Sequence, residues 1–302
     1  MSQDALPALS QIRIVLVEPA GPLNVGSAAR VMKNFGLQHL VLVKPKCDPL
    51  GAEAMQMAVH AKNLLYEAQI VDSIPAALDG CYSAIATTAR PRDINTPLEP
   101  PEQALPTLLN QPAESQSQSQ SQSQGQPSQA LIFGPEDRGL SNEELIHAQR
   151  FVKIPTDDYS ALNLAQAVAV CCYELHRASR QTSTLRNSDD VSEANSAQNL
   201  TNALRTAPIS GKQTESHARN NQLNEQILSL APQAKLNELE GYYRHLESVL
   251  LSVEYLYPHT AASRMRKVRQ LLQRATPTSA EVALLRGMLR QMEWALSESK
   301  QG

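Results

Sequence analysis

Ala130-Leu131-Ile132-Phe133-Gly134-Pro135-Glu136-Asp137-Arg138-Gly139-Leu140-Ser141 is the stretch on which the fold of this chain turns. Four apolar residues followed at once by glycine predict a buried strand emptying into a tight loop. The loop holds two glycines around Glu136, then Leu140 and the pair Ser141/Glu144, whose spacing predicts a capping box opening a helix. Glycine has no Cβ, so backbone N–H and C=O groups in such a loop can approach a ligand closely. Two more loops of this kind predict a cofactor pocket at one end of an α/β sheet.

Outward from this stretch the same alternation repeats. Apolar, β-rich runs predict strands at Ile12 to Val17, His39 to Val43, Gln69 to Val71, Tyr82 to Thr87, Leu131 to Phe133 and Phe151 to Ile154. Helical spacing predicts helices over Asn24 to Phe35, closed by Gly36, and over Gly51 to Tyr66, Ile74 to Leu78 and Leu164 to Leu175. Strands and helices in alternation imply an α/β domain, a parallel sheet flanked by helices on both faces. Ligands in such sheets sit in loops at the carboxyl ends of strands.

Two segments break the alternation. Ser115 to Gln124 is a Ser-Gln repeat with no apolar residue; it lies between two strands, so residues 112–129 are expected to be a disordered insertion. Residues 181–224, rich in Ser, Thr, Asn and Gln, read as a flexible linker. Beyond it, 225–300 reads as a small all-α module tethered to the first domain. Leu236, Leu239, Tyr243, Leu246, Val249 and Leu250 keep helical spacing, and Pro258 and Pro277 cut the module into about three helices.

Composition narrows the function classes. The formal net charge of the 302 residues is −3, so any surface for nucleic acid must be local. Hydrophobic content is 42%, but no apolar run approaches the roughly 18 residues of a membrane span. Met1 to Gln11 has neither the positive nor the apolar region of a secretory signal. Cys47, Cys81, Cys171 and Cys172 make no C-x-x-C pair and no zinc spacing. They read as small buried hydrophobes in a reduced, cytoplasmic protein, and no metal is expected.

The first loop contains Asn24-x-Gly26-x-x-x-Arg30, without the Lys-Ser/Thr of a Walker loop and without G-x-G-x-x-G. By itself Asn24 reads equally as a helix cap, and Arg30 as a solvated residue. The third loop runs Ile154-Pro155 through Ser160-Ala161-Leu162-Asn163. Ser160 has the chemistry of a helix cap, and Asn163 reads as a buried amide that needs partners. Thr87-Thr88-Ala89-Arg90 places two hydroxyls and a guanidinium past a strand end, as a substrate mouth requires. Arg13 and Arg92 are expected to decorate the surface. Between Arg264 and Arg274 stand five basic residues and no acid; Arg266, Arg269 and Gln273 are expected to share a helix face, an electrostatic footprint for phosphates.

In their order, the Asn24–Arg30, Gly134–Leu140 and Ile154–Asn163 segments resemble the three motifs of the SpoU/TrmH branch of the SPOUT RNA methyltransferases. The resemblance covers residues 10–178 and extends to 234–296. It implies a methyltransferase domain over residues 10–180 with a trefoil knot in its carboxyl half, a homodimer, and S-adenosylmethionine as cofactor. It implies cofactor contacts from Thr87, Thr88, Ala89, Gly134, Gly139, Ile154, Ser160, Ala161 and Leu162, and a catalytic set of Arg30, Asn24, Glu136, Ser160 and Asn163. RNA contacts are expected from Arg90, Arg264, Arg266, Lys267 and Arg269.

The implied reaction is 2′-O-methylation of ribose at nucleotide 32, C or U, in the anticodon loop of tRNA. A ribosomal RNA methyltransferase of the same branch and a non-catalytic RNA-binding relative are the alternatives. An arginine with a pKa above ~12 is a poor free base, so Arg30 is expected to steady the developing alkoxide. Close relatives usually carry two serines before the Leu-Asn pair; here the second is Ala161, which has no hydroxyl.

Overall fold

The computed structural model describes residues 8–89, 97–109, 128–158, 161–182 and 233–299. Arg90, Arg92, Ser160, the Ser-Gln repeat and the linker beyond residue 182 lie outside the described residues.

The centre is one parallel sheet. Its strands are β1 (Ile12–Val17), β2 (His39–Val43), β3 (Gln69–Val71), β4 (Ser83–Thr87), β5 (Leu98–Glu99), β6 (Gln129–Phe133) and β7 (Arg150–Val152), in the order β3-β2-β1-β6-β4-β7-β5. The short edge strand β5 carries no apolar run, which is why periodicity missed it. Val15 pairs with Val41 on one side and Ile132 on the other.

Side chains alternate between the two faces of a strand, and both faces of this sheet are covered. Ile12, Ile14 and Leu16 of β1 pack with one set of helices: α1 (Pro22–Asn34), α2 (Ala52–Ala58), α3 (Lys62–Tyr66) and the helix across residues 164–182. Val15 and Val17 point to the other side. There α4 (Ile74–Ala77) and, after α5 (Pro101–Ala104), α6 (Asn142–Leu145) are only four residues long each. Helices that short leave much of the face bare. It is completed by the carboxyl-terminal helices α8 (Leu236–Ser252), α9 (Pro258–Ala275) and α10 (Ser279–Ser299), the helix across 164–182 being α7. Leu236, Leu239, Tyr242 and Tyr243 of α8 share one buried cluster with Val15, Ala86 and Ile132.

The carboxyl-terminal helices are therefore packed onto the sheet, a docking that the sequence reading of a tethered module leaves open. Polar ties fix the contact. Leu236 N–H donates to Cys81 O at 2.8 Å, and Asn237 Nδ2 to Asp79 Oδ1 at 2.8 Å. Gln273 Nε2 donates to Ile146 O at 3.2 Å. Within the carboxyl-terminal helices, Arg269 of α9 makes a two-pronged pair with Glu240 of α8 at 2.6 and 2.9 Å and lies 4.4 Å from the centre of the Tyr243 ring.

Two local expectations change. Gly51 to Tyr66 is not one helix: it breaks at Val59, whose φ is 51°, between α2 and α3. Arg13 does not decorate the surface. It is 6% exposed, and its guanidinium donates to Ala77 O and to Asp79 O, at the carboxyl end of α4. A cation there meets the partial negative charge of unpaired helix carbonyls. Among the described residues, no helix is long and apolar enough to cross a membrane.

Candidate functional site

The three adjacent strands β6, β4 and β7 all end at one cavity of about 200 Å³. Thr87, Thr88 and Ala89 enter it from the end of β4, Gly134 and Gly139 from β6, and Ile154, Ala161 and Leu162 from the segment after β7. Every cofactor-contact residue expected from the sequence, Ser160 aside, thus lines the same space. Phe133, Val152, Leu164 and Ala167 give it an apolar wall. Thr87 Oγ1 donates to Ile132 O at 3.2 Å, and Thr88 N–H to Val152 O at 2.9 Å, so the β4 end is tied to both neighbouring strands.

Gly134 is required for a reason more local than ligand access. A Cβ on it would lie 2.4 Å from Leu140 N and 2.5 Å from Gly139 C, inside the loop's own backbone. The loop folds back on itself because Gly139 takes a φ of 65°. Beyond it the expected capping box forms: Ser141 Oγ accepts from Glu144 N–H at 3.2 Å, and Glu144 accepts from Ser141 N–H at 2.6 Å.

A chain of side-chain hydrogen bonds joins the three loops. Asn24 Nδ2 donates to Glu136 Oε1 at 2.8 Å, and Asn163 Nδ2 donates to Asn24 Oδ1 at 2.9 Å. Glu136 also accepts from Ala20 N–H at 3.1 Å and Gly21 N–H at 3.2 Å. Gly21 is the N-cap of α1, and it has no side chain to cap with. Glu136, far away in sequence, supplies the missing carboxylate at the positive end of the helix. Burial pushes the Glu136 carboxyl up, but the donors from Asn24, Ala20 and Gly21 outweigh it and hold the pKa below its ordinary value. Asn24 is therefore a bridge between loops rather than the cap of α1.

Asn163 differs from expectation as well. It is exposed, and it caps α7: its Oδ1 accepts from Ala165 N–H at 2.9 Å, while Gln166 accepts from Asn163 N–H at 3.1 Å. An Asn followed three residues later by Gln is a capping-box spacing that the sequence already displayed.

Arg30 projects from α1, is exposed, and lies outside the residues lining the cavity. One participant escaped the sequence reading. Arg138, at the cavity wall, makes two bonds to Glu144 at 2.7 and 2.9 Å and one to Glu18 at 3.2 Å. Glu18, the residue after β1, has a φ of 47° and also pairs with Lys46 at 2.8 Å. The only sequence signal was a basic residue beside a capping-box glutamate.

The expected RNA contacts on α9 separate. Arg269 is bound to Glu240 and Gln273 to the loop before β7, so the face carrying them is turned toward the sheet. Arg266 lies beside Ala148 and Phe151 on that same side. Arg264 and Lys267 are exposed, Arg264 donating to Tyr255 O at 3.0 Å. Among the described residues, no three His, Cys, Asp or Glu side chains gather as a metal site would require.

Comparison with known proteins gives a concordant result. The SpoU rRNA Methylase family model matches residues 11–173, and the model of the tRNA methyltransferase TrmJ C-terminal domain matches 237–301. The chain is 34% identical over 288 residues to the tRNA (cytidine/uridine/adenosine-2′-O-)-methyltransferase TrmJ of Pseudomonas aeruginosa strain UCBPP-PA14, covering 94% of this chain and 95% of that one. It is also 34% identical over 287 residues to the tRNA (cytidine/uridine-2′-O-)-methyltransferase TrmJ of Klebsiella pneumoniae, covering 94% and 97%. The crystal structure of TrmJ from Z. mobilis ZM4 superposes with a TM-score of 0.67 at 28% identity, over 93% of this chain and 98% of that one. A sheet whose adjacent strand ends build one cavity, three loops laced by Asn24, Glu136 and Asn163, and likeness along nearly the whole chain lead to one assignment: the protein belongs to the SpoU methylase family, in its TrmJ group of tRNA methyltransferases.

Proposed function

We propose that this enzyme uses S-adenosylmethionine to methylate the 2′-hydroxyl of the ribose at nucleotide 32, C or U, in the tRNA anticodon loop. The observation that carries the reading is the cavity at the ends of β4, β6 and β7, with the Asn24–Glu136–Asn163 chain beside it. The relatives from Pseudomonas and Klebsiella are named for 2′-O-methylation of tRNA, which supports the same substrate here.

The cavity suits the cofactor in its chemistry. Its apolar wall of Phe133, Val152, Leu164 and Ala167 matches an adenine ring, and its backbone-rich loops offer N–H and C=O groups. When bound, the cofactor supplies a methyl group activated by a sulfonium. The protein's task is then alignment of the hydroxyl with that methyl, plus help in losing a proton.

Glu136 is a poor candidate for the proton. Its carboxylate already accepts three bonds and its pKa is depressed, so it acts as an anchor for the α1 loop. Arg30, exposed on α1, steadies the developing alkoxide and the neighbouring phosphate. Ala161 brings no hydroxyl to the cavity, which leaves Ser160, backbone groups or water to assist.

The rest of the reading follows from the same assignment. On this reading the carboxyl half of the methyltransferase domain forms a trefoil knot, and the enzyme works in the cytoplasm. Leu23 on α1 and Val170 and Tyr173 on α7 expose apolar surface 49%, 36% and 51% open, which supports pairing with a second copy there. Arg90, Arg264 and Lys267 contact the RNA, while Arg269 is engaged with Glu240 of α8 and Arg266 lies beside Ala148 and Phe151.

The deciding experiment is mass spectrometry of nucleosides from tRNA incubated with the enzyme and methyl-labelled cofactor. Label in 2′-O-methylcytidine or 2′-O-methyluridine at position 32 is the expected result. No label in tRNA, or label only in ribosomal RNA fragments, would overturn it.

A further inference from the structure

The strands β6, β4 and β7 have a second cavity at their other end. Gln129, Tyr82 with Ser83, and Arg150 stand at their amino ends, and α9 closes the opposite wall. This cleft is about 920 Å³, several times the volume at the carboxyl ends.

Its lining has a distinct chemistry. On α9, Lys267, Gln270 and Arg274 follow i, i+3, i+7 spacing and so form one helix face. That face neighbours the one that carries Arg269 and Gln273 and is spent on docking. Lys267 and Arg274 are exposed. Gln129, Gln149, Gln233, Gln270 and Gln273 line the cleft as well, and among the described residues no Asp or Glu does. Carboxylates close to the lining are engaged: Glu99 is held by Arg150, with Nε to Oε1 at 2.9 Å, and Glu281 accepts from Thr278 N–H at 2.8 Å. Tyr82 lines the wall, with Lys235 Nζ 5.7 Å from its ring centre. In a chain of net charge −3, a cleft whose described lining carries cations and no acid is a local departure.

We propose that this cleft holds a stretch of the RNA substrate's sugar–phosphate backbone, with Lys267 and Arg274 on phosphates and the glutamine amides on ribose and base edges. The inference rests on the RNA-methyltransferase reading and adds a second point of contact to it. The cofactor cavity and the cleft are separated by the length of β4, five residues at about 3.3 Å each, or roughly 17 Å. One RNA segment bound at both ends of the sheet would be gripped away from the reacting ribose. Cations in the cleft then contribute to substrate affinity without touching the chemistry.

The test uses the full-length protein and unmodified tRNA transcript. Binding is measured across salt concentrations for the wild type, for the double variant Lys267→Gln/Arg274→Gln, and for Gln270→Glu. Two lost phosphate contacts should lower the slope of log affinity against log salt by about 1.4 to 1.8. Near physiological salt the double variant should bind roughly 10- to 30-fold more weakly, and Gln270→Glu several-fold more weakly. S-adenosylmethionine affinity should stay at the wild-type value in both, and KM for tRNA should rise more than kcat falls. An unchanged slope in variants that still take up cofactor would overturn the cleft as an RNA site. A wild type that neither binds nor methylates tRNA would instead overturn the substrate reading itself, so the two failures are distinguishable.

Discussion

Gly26→Ala sets two well-known effects against each other. Gly26 lies inside α1, where alanine is intrinsically preferred by about 1 kcal/mol. Propensity alone predicts a more stable protein. The packing predicts the reverse. A Cβ on Gly26 would sit 2.2 Å from Ala54 O and 2.9 Å from both Ala54 C and Met57 Cβ, all on α2. A carbon meets a carbonyl oxygen comfortably at about 3.3 Å, so α1 and α2 must part by about 1 Å. The first obstacle is backbone, which cannot rotate away as a side-chain tip can. Overpacking a tight contact costs about 1–3 kcal/mol, and a backbone collision belongs at the upper end. Subtracting the propensity gain leaves a net loss of about 2 kcal/mol. For a chain with 150–250 ordered residues this lowers Tm by roughly 4–8 °C. Thermal melts followed by circular dichroism, with urea titrations at one temperature, measure it directly. A Tm at or above the wild-type value would refute the close approach of α1 to α2. The displaced α1 should also weaken catalysis, because it carries both Asn24 and Arg30.

Four further outcomes are expected. Glu136→Gln should cost about 1 kcal/mol at neutral pH, discounted for solvent access. The folded pKa of Glu136 is depressed, so its contribution is present above 4.5 and lost as pH falls through the folded value; the stability gap to wild type should therefore close on acidification, and a constant gap in urea titrations would count against the anchor role. Gly134→Val should force the Gly139–Leu140 backbone outward and cut S-adenosylmethionine affinity at least ~10-fold, as seen by calorimetry. Arg30→Ala should lower methyl transfer by roughly 10²–10³ while cofactor affinity holds; near-normal turnover would remove Arg30 from the chemistry. Arg269→Met leaves Glu240 beside His147 without its cation and should cost about 2 kcal/mol, read as earlier release of the carboxyl-terminal helices under limited proteolysis.

The cavity was legible because its loops are written locally: an apolar run, then glycine, then a capping signal. Those same cues placed Thr87, Gly134 and Ile154 at strand ends and Leu162 in the loop before a helix, and the parallel order of the sheet brings them together. The bonding of Asn24 was not legible. A helix cap and a tertiary bridge ask for the same short amide, and only the position of Glu136 decides between them. Asn163 misled for the opposite reason: apolar residues after it suggested burial, whereas the first turn of a helix often faces outward. The facing of α9 was not legible because it turns on phase. Five basic residues predict a charged helix, but the choice between the 266–269–273 face and the 267–270–274 face depends on what the helix packs against. The docking of α8 to α10 was hidden in α4 and α6, whose brevity leaves the sheet half covered. Sequence spacing shows short helices; it does not say that a face is left wanting.

The pairing of β1 with β6 has a consequence for how the chain reaches this state. β1 is buried along all six residues, Ile12 to Val17, and five of them, Arg13 to Val17, pair on one side with β2, which follows closely in sequence. On the other side their partner is Gln129 to Phe133. While the chain is being synthesised, β1, β2 and β3 can assemble early, but one long apolar edge of β1 must wait for β6 to emerge. An unpaired apolar edge invites association with other nascent chains, and closure between such distant segments slows folding. The lacing of Asn24, Glu136 and Asn163 comes later still, once α7 has emerged. A ligand of that cavity has nothing to bind in the early intermediates. It can reward only the finished fold, so cofactor supply should protect mature protein from unfolding without accelerating its first passage to the native state.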